Sequence, residues 1–508
     1  MKSKRQISSS LARMFSGNMV VTALNLLRDL SIAAYFGASL LSDYYFLAIM
    51  FPVFFVTVLG GAYRSTVIPL LETFAVSSGE KVHHLLSQLN SGVLRTAVKF
   101  GGVYLVGAWL VLWLTGNEEL EVNDWPIICL FIAVIPVYVL SAYLECNIGH
   151  MQFFRRFFFG SVLRFGLALG TILGCLLLTD WLSVYALPVG GAVGVILVIF
   201  ILSWQHRREK ILPSFSSRLD PGTTKRLVYS IGALSVGTSM AYVNPIVDQL
   251  VASTLGEGSI AMLGYSNRIA TGLSSLTAGA IGPVLLVYYS NIAVSGNRTE
   301  LQDLFNRAFV LCCWLSCALV VVVATYALDL VDLMYTRGNM SRDASREVGV
   351  LVQYYSCQYL PLIASAAVYP VISALNLNKV FVPINLMLLV VNLFADIVLS
   401  RYYGLAGIAI STVVVYSVSL CLMVGFLYMN GHVKLRGMSC ASALVAVLSA
   451  LVAYYLASSL KELSNVTLLG VNLLQSTVIA MYGFFVLWVC RAIYKNLEPV
   501  KNVNVNVN

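Results

Sequence analysis

Five basic side chains interrupt otherwise apolar stretches of this sequence: Arg28, Arg64, Lys99, Arg164 and Arg268. The acids Asp29, Asp248 and Asp396 do the same, and Asp43 stands at the edge of such a stretch. A guanidinium offers a planar fork of donors that grips phosphate oxygens in pairs, so buried arginines suit an anionic ligand. The same arginines could instead close internal ion pairs with Asp29, Asp43 or Asp248. Asn392 and Asp396 are four residues apart and share one face of a helix. Their oxygen-only donor set suits a hard cation such as Na⁺ rather than zinc or copper. One aspartate could equally carry a proton, and interhelical hydrogen bonding explains the pair as well. Other chemistry finds little support. The ten cysteines sit mostly inside apolar blocks, as at Cys312, Cys313 and Cys317, without CxxC or Cys/His metal spacing. The five histidines, His83, His84, His150, His206 and His432, are expected in or beside cytoplasmic loops, which leaves no catalytic constellation.

The elements that must position these groups follow from composition. Of 508 residues, 59% are hydrophobic and 11% charged, where a soluble chain carries about a quarter charged. The apolar residues come in blocks of about 20, the length that crosses a ~30 Å hydrocarbon core as a helix. Continuous rather than alternating blocks exclude a barrel. Spans are expected near 18–36, 44–69, 97–116, 125–146, 158–179, 182–204, 227–252, 259–290, 307–328, 348–374, 380–400, 404–429, 438–458 and 468–491. That is an all-α integral membrane protein of about fourteen spans. The first apolar stretch lacks a cleavage pattern and should remain as the first span. At these depths a lipid-facing charge costs roughly 2.5–3.5 kcal/mol or more, so Arg28 and Arg268 must meet a cavity or a partner. Lys99 can snorkel from a span end, and Arg164 is balanced between snorkelling and function.

With the N-terminus inside, cytoplasmic segments hold about 22 Lys and Arg and external loops about 5, which places both termini in the cytoplasm. The net charge of +9 is then a property of the inner loops, not a sign of nucleic acid. The basic connection 205–226 divides an N-terminal lobe, 1–204, from a C-terminal lobe, 227–429. Residues 430–491 add two spans and 492–508 a cytoplasmic tail ending in a low-complexity Val-Asn run. A short parallel repeat crosses the divide: Asp29 precedes Gly37 by eight residues, as Asp248 precedes Gly256. Facing repeats around a midplane site are a common transporter plan, although so short a match also arises by coincidence. No extramembrane segment exceeds about 25 residues, too short for a catalytic outer domain.

These motifs, in order, resemble the MurJ/MviN lipid II flippases of the MOP transporter superfamily over nearly the whole chain. The first match runs from Arg28-Asp29 through Tyr35-Phe36-Gly37-Ala38, Ser42-Asp43 and Pro52 to Ile68-Pro69. The second is Gly264-Tyr265-Ser266-Asn267-Arg268 followed by Pro283, and the third is Leu333-Met334-Tyr335-Thr336-Arg337-Gly338. The resemblance implies two pseudo-symmetric six-helix lobes around a central cavity, with two further helices and a lipid-tail groove at 430–491. It implies a bacterial cytoplasmic-membrane protein, not an enzyme, working by alternating access. Its substrate would be an undecaprenyl-pyrophosphate-linked saccharide, in contact with membrane lipids and with glycan synthesis or polymerisation enzymes as candidate partners.

By the same resemblance Arg28 and Arg268 match cavity arginines directed at the lipid pyrophosphate, with Asp29 and Asp43 as further cavity candidates. Asp248, Asn392 and Asp396 match a sodium site completed by Ile408 through its backbone and Thr412 through its hydroxyl. No tightly bound cofactor is expected, only Na⁺ or a proton as coupling ion. This chain departs from the pattern where Thr22 replaces an arginine, where Val56 and Thr57 replace an arginine pair, and where Gly60 replaces a glutamate. Arg64, one turn beyond Gly60, is placed to compensate and to join the pyrophosphate site. Fewer cavity charges leave the glycan open between lipid II and an exopolysaccharide or O-antigen repeat unit. The rivals are a MATE-like drug or cation exporter, which favours an acidic or aromatic cavity, and a non-transporting scaffold.

Overall fold

The computed structural model describes residues 2–77, 81–114, 125–154, 156–209, 221–336, 338–375, 377–463, 467–468 and 471–495. The acidic loop at 118–124, the middle of the basic connection and the Val-Asn tail lie outside these residues. The chain forms two compact units, Met1–Gly264 with Arg337–Ser341, and Tyr265–Thr336 with Arg342–Asn508.

The first unit contains α1 (Lys2–Phe36), α2 (Leu40–Ser77), α3 (Lys81–Leu114), α4 (Trp125–Phe153), α5 (Phe157–Val162), α6 (Phe165–Leu182), α7 (Ala186–Glu209) and α8 (Pro221–Ala252). The second is built from α9 (Ser259–Ser295), whose first turns belong to the first unit, α10 (Arg298–Tyr335), α11 (Arg342–Ser356), α12 (Tyr359–Ala374), α13 (Phe381–Tyr403), α14 (Leu405–Met429), α15 (Gly437–Leu463) and α16 (Leu473–Lys495). Among the described residues sixteen α-helices thus carry the fourteen expected spans, because two spans are broken: α5 stops before Arg164 and α11 stops before Cys357. The last span also starts late, since Thr467–Leu468 and Val471–Asn472 form a short antiparallel pair before α16. Among the described residues, ten stretches are long and apolar enough to cross a membrane. One of them, Phe158–Trp204, holds both α6 and α7.

Division by packing falls at Gly264 rather than at 205–226, because α8 joins the first unit's core. Leu227 packs with Tyr63, Val67 and Leu71 of α2 and Leu85, Leu86 and Leu89 of α3. A small-residue seam sits between α6 and α7: Gly166, Gly170 and Gly174 face Gly190 and Gly194 in antiparallel order. A Cβ on Gly170 would lie 2.7 Å from the Cα of Gly194. Small residues at this spacing let helix backbones meet in a lipid environment, where apolar side chains gain little from mutual burial. In the second unit α10, α15 and α16 share a core of Trp314, Cys317, Val321, Ala450, Ala453, Tyr482 and Val486. The surface is apolar while polar groups are inside: Phe394 is 71% exposed, whereas Asp396, half a turn on, is fully buried.

Candidate functional site

At the C-terminal end of α1, Gly37 has φ +62°, the left-handed terminator that glycine supplies without a Cβ clash. Its counterpart in the repeated Asp-to-Gly interval, Gly256, has φ +116° and lies in the turn four residues beyond the end of α8 at Ala252. The chain beyond each glycine converges in the first unit. The Asp43 carboxylate accepts backbone N–H groups of Gly258 and Ala261, both at 2.7 Å, and so caps the start of α9. Glu257 accepts the N–H of Leu40 at 3.1 Å. Asn339 donates its backbone N–H to Ala34 at 2.8 Å and its amide to the Tyr35 carbonyl at 2.6 Å. The segments at 37–43, 255–261 and 338–341 therefore lie on one face, as the expected alternation of spans requires.

Deeper in α1, Arg28 is buried and gives Nε and Nη2 to one oxygen of Asp29, at 3.0 and 2.7 Å. Of the two sequence readings for Arg28, the internal ion pair is present in the structure, and the pair is electrically neutral. Arg64 is also paired. Its Nη1 meets Oε2 of Glu145 on α4, and Arg164 reaches the same carboxylate with Nε at 2.5 Å and Nη2 at 2.9 Å. Arg164 is the residue at the break between α5 and α6, which explains how a cation sits inside an apolar span. Glu145 escaped the sequence reading although it is an isolated acid within a span. Gly60 makes room for it: a Cβ there would lie 3.1 Å from the Glu145 Cβ.

Beside this cluster, the Tyr63 hydroxyl and His150 Nε2 are 3.0 Å apart, and Cys146 Sγ contacts His150 at 3.7 Å. His150 lies in the last turn of α4, beside the connection to α5, and is fully buried there because the helix runs on to Phe153, past the span end at 146.

In the second unit the Asn392 and Asp396 pair forms as its spacing implies. Asn392 donates to Asp396 at 2.8 Å, and the Ser411 hydroxyl of α14 donates to the other carboxylate oxygen. Thr412, the hydroxyl named by resemblance, donates instead to the Ile408 carbonyl at 3.1 Å. Ser411 was therefore the missed neighbour. Carboxylate, amide, hydroxyl and carbonyl oxygens make a donor set that fits a hard monovalent cation. Among the described residues no group of three or more His, Cys, Asp or Glu side chains could hold a metal ion. Asp248 is buried on α8 in the first unit. On α9, Tyr265 and Ser266 are buried and Arg268 is exposed, with the Tyr265 ring 5.3 Å from that of Tyr335.

Residues 32–474 match the family model described as lipid II flippase MurJ. The chain is 23% identical over 439 residues to a probable lipid II flippase MurJ of Bdellovibrio bacteriovorus, covering 84% of this chain and 82% of that one. A solved lipid II flippase MurJ in an inward closed conformation superposes with TM-score 0.75 at 19% identity, over 95% of this chain and 99% of the other. A multidrug resistance MATE family transporter of the MOP superfamily, inward-facing, shares the fold at TM-score 0.64 and 12% identity, over 83% of this chain and 98% of its own.

Proposed function

We propose that this chain, which belongs to the lipid II flippase MurJ family, moves an undecaprenyl-pyrophosphate-linked saccharide from the inner to the outer leaflet of the bacterial cytoplasmic membrane. The observation that carries the reading is the family match over residues 32–474. The buried polar and charged groups of a chain that exposes many large apolar side chains support it. A sugar head group cannot cross hydrocarbon unaided, so the protein must supply a polar path and leave the polyprenyl tail in lipid. Both termini are cytoplasmic in this reading, by the distribution of Lys and Arg.

Arg28 and Arg64 of the first unit offer the pyrophosphate the guanidinium donors that Asp29 and Glu145 leave over, and Arg268 of the second unit is the third candidate. Asp29 holds the Arg28 fork in place. The tail lies along a cavity of about 440 Å³ beside α15 and α16, lined by Val445, Leu448, Val452, Leu456, Val478 and Tyr482. Asp43 holds the outer face shut by capping α9 and releases it when the head group leaves. In the second unit Asn392, Asp396, Ile408 and Thr412, with Ser411, hold the coupling cation, and Asp248 of the first unit is a further acidic candidate. Na⁺ bound there would couple the cycle to the membrane potential, worth about 2.3 kcal/mol per charge per 100 mV. Oxygens of the Asp396 group orient and charge-match that ion.

The test is complementation in a bacterium whose own lipid II flippase is shut off, read by labelling of externally exposed lipid II. The parent chain should restore labelling, and Arg268→Ala at equal abundance should not. If a well-expressed parent restores neither lipid II nor exopolysaccharide or O-antigen intermediates, the reading fails.

A further inference from the structure

The cluster of Arg64, Glu145 and Arg164 holds more positive charge than a structural clamp requires. One carboxylate neutralises one guanidinium, so the group carries a formal surplus of +1. A plain ion pair would tie α2 to α4 without the cost of a second cation near the hydrocarbon. The geometry also leaves donors unused. Arg64 spends only Nη1 on Glu145, and Arg164 spends Nε and Nη2. Nε and Nη2 of Arg64 and Nη1 of Arg164 have no acceptor among the described residues.

These donors can be reached. The side chains of Arg164 and Arg64 are 37% and 22% exposed, while Glu145 beneath them is 12% exposed. The carboxylate is thus the floor of the cluster and the guanidiniums its open side. Arg164 also directly precedes α6, an eighteen-residue helix whose N-terminal dipole adds positive potential at the same point. The depth is specific as well. Arg64 is 21 residues beyond Asp43 on one continuous helix, about 31 Å at 1.5 Å per residue. That is about the thickness of the hydrocarbon core. With Asp43 at the outer boundary, the cluster lies at the inner one.

We propose that Arg64 and Arg164, positioned by Glu145, form a receiving site at the cytoplasmic mouth of the first unit for the phosphate oxygens of the carrier pyrophosphate, engaged before Arg28. This rests on the flippase reading and adds a first binding step to it. Glu145 is a positioning residue: it fixes both forks and limits the surplus charge to one. Removing an arginine should weaken binding. Neutralising Glu145 while keeping an acceptor oxygen should raise the surplus to +2 and tighten it. A purely structural cluster has no such opposition of sign.

The experiment uses the full chain in nanodiscs of phosphatidylcholine, titrated with undecaprenyl pyrophosphate. Arg164→Gln should raise Kd about tenfold, the worth of one charge-assisted fork. Glu145→Gln should lower Kd, and Arg164→Lys should fall between Arg164→Gln and the parent. Inorganic pyrophosphate should compete, and phosphatidylglycerol at the same concentration should not. Equal competition by phosphatidylglycerol would assign the site to bulk anionic lipid and overturn the proposal. So would Kd values within twofold of the parent in folded Arg164→Gln and Glu145→Gln, with the flippase reading intact. A parent chain that binds no pyrophosphate lipid would remove both. If Arg164→Gln does not fold, Glu145→Gln and Arg64→Gln still give the opposed pair of outcomes.

Discussion

Replacing Asp43 by alanine should open the outer face. Its carboxylate accepts two backbone N–H groups, from Gly258 and Ala261, at 2.7 Å each. Hydrogen bonds to a charged acceptor contribute roughly 1.5–3 kcal/mol each when intact. Losing an N-cap costs about 0.5–2 kcal/mol where water can replace it. Opening lets water reach both donors, so the difference between closed and open states is about 2 kcal/mol, nearer the capping value. At 1.4 kcal/mol per tenfold, the open population rises roughly thirty-fold. Ala261 is fully buried when the latch is closed, so a reporter Ala261→Cys reacts with a membrane-impermeant maleimide only from the open state. The background would replace the exposed Cys129, Cys357, Cys421 and Cys440 by serine. Labelling of cells should accelerate about thirty-fold in Asp43→Ala, and less in Asp43→Asn, which keeps one acceptor without its charge. Rates within twofold of the parent, at normal abundance, would refute the latch. Asp43 would then be a cap that the transport cycle never breaks.

Two other outcomes follow from packing and ion chemistry. Gly170→Ala must separate α6 from α7, since its Cβ meets Gly194 Cα at 2.7 Å, and should cost about 1–3 kcal/mol; Gly272→Ala, with nothing within 4 Å, should leave the thermal midpoint unchanged or raised. If Asp396 anchors a cation, Na⁺ should raise the melting temperature of the purified chain above its value in equimolar choline; Asp396→Asn should abolish the increment and Ser411→Ala shrink it, and an identical increment in Asp396→Asn would sink the site.

Much of this was legible because a membrane imposes rules that residue type alone reveals. Continuous apolar blocks had to become helices, since the bilayer offers no partner for a loose backbone. The spacing of Asn392 and Asp396 put them on one face, and they do pair. What failed to show was whatever depends on a second helix. Glu145 is one unremarked acid until folding brings Arg64 and Arg164 to it. Ser411 and Thr412 are adjacent, and only the rotation of α14 against α13 decides which hydroxyl meets Asp396. One break was readable and the other was not: Pro361, in the first turn of α12, cannot donate to the carbonyl of Cys357 four residues before it, whereas Leu163-Arg164 are ordinary helix formers. The α6–α7 contact, by contrast, was readable: glycines at 166, 170 and 174 recur every fourth residue, as do 190 and 194.

Charges in this interior act as groups, and that changes what an anion meets. Counted singly, Arg28, Arg64 and Arg164 would present three cations. Grouped as they stand, Arg28 with Asp29 is neutral and the cluster on Glu145 retains one formal positive charge. A neutral pair attracts little at a distance but still offers directed donors at contact, where a phosphate oxygen can replace part of the carboxylate's hold. Under the proposed function, long-range attraction would belong to the surplus cation of the Glu145 cluster, and recognition by fit to the paired Arg28. This division suits a carrier. A deep site of bare arginines would bind pyrophosphate tightly and release it slowly, whereas a guanidinium that exchanges one anion for another gives its ligand up at modest cost. Gly60 leaves the space on α2 into which Glu145 of α4 packs, so the carboxylate beside Arg64 is anchored on a different helix from the arginine it holds.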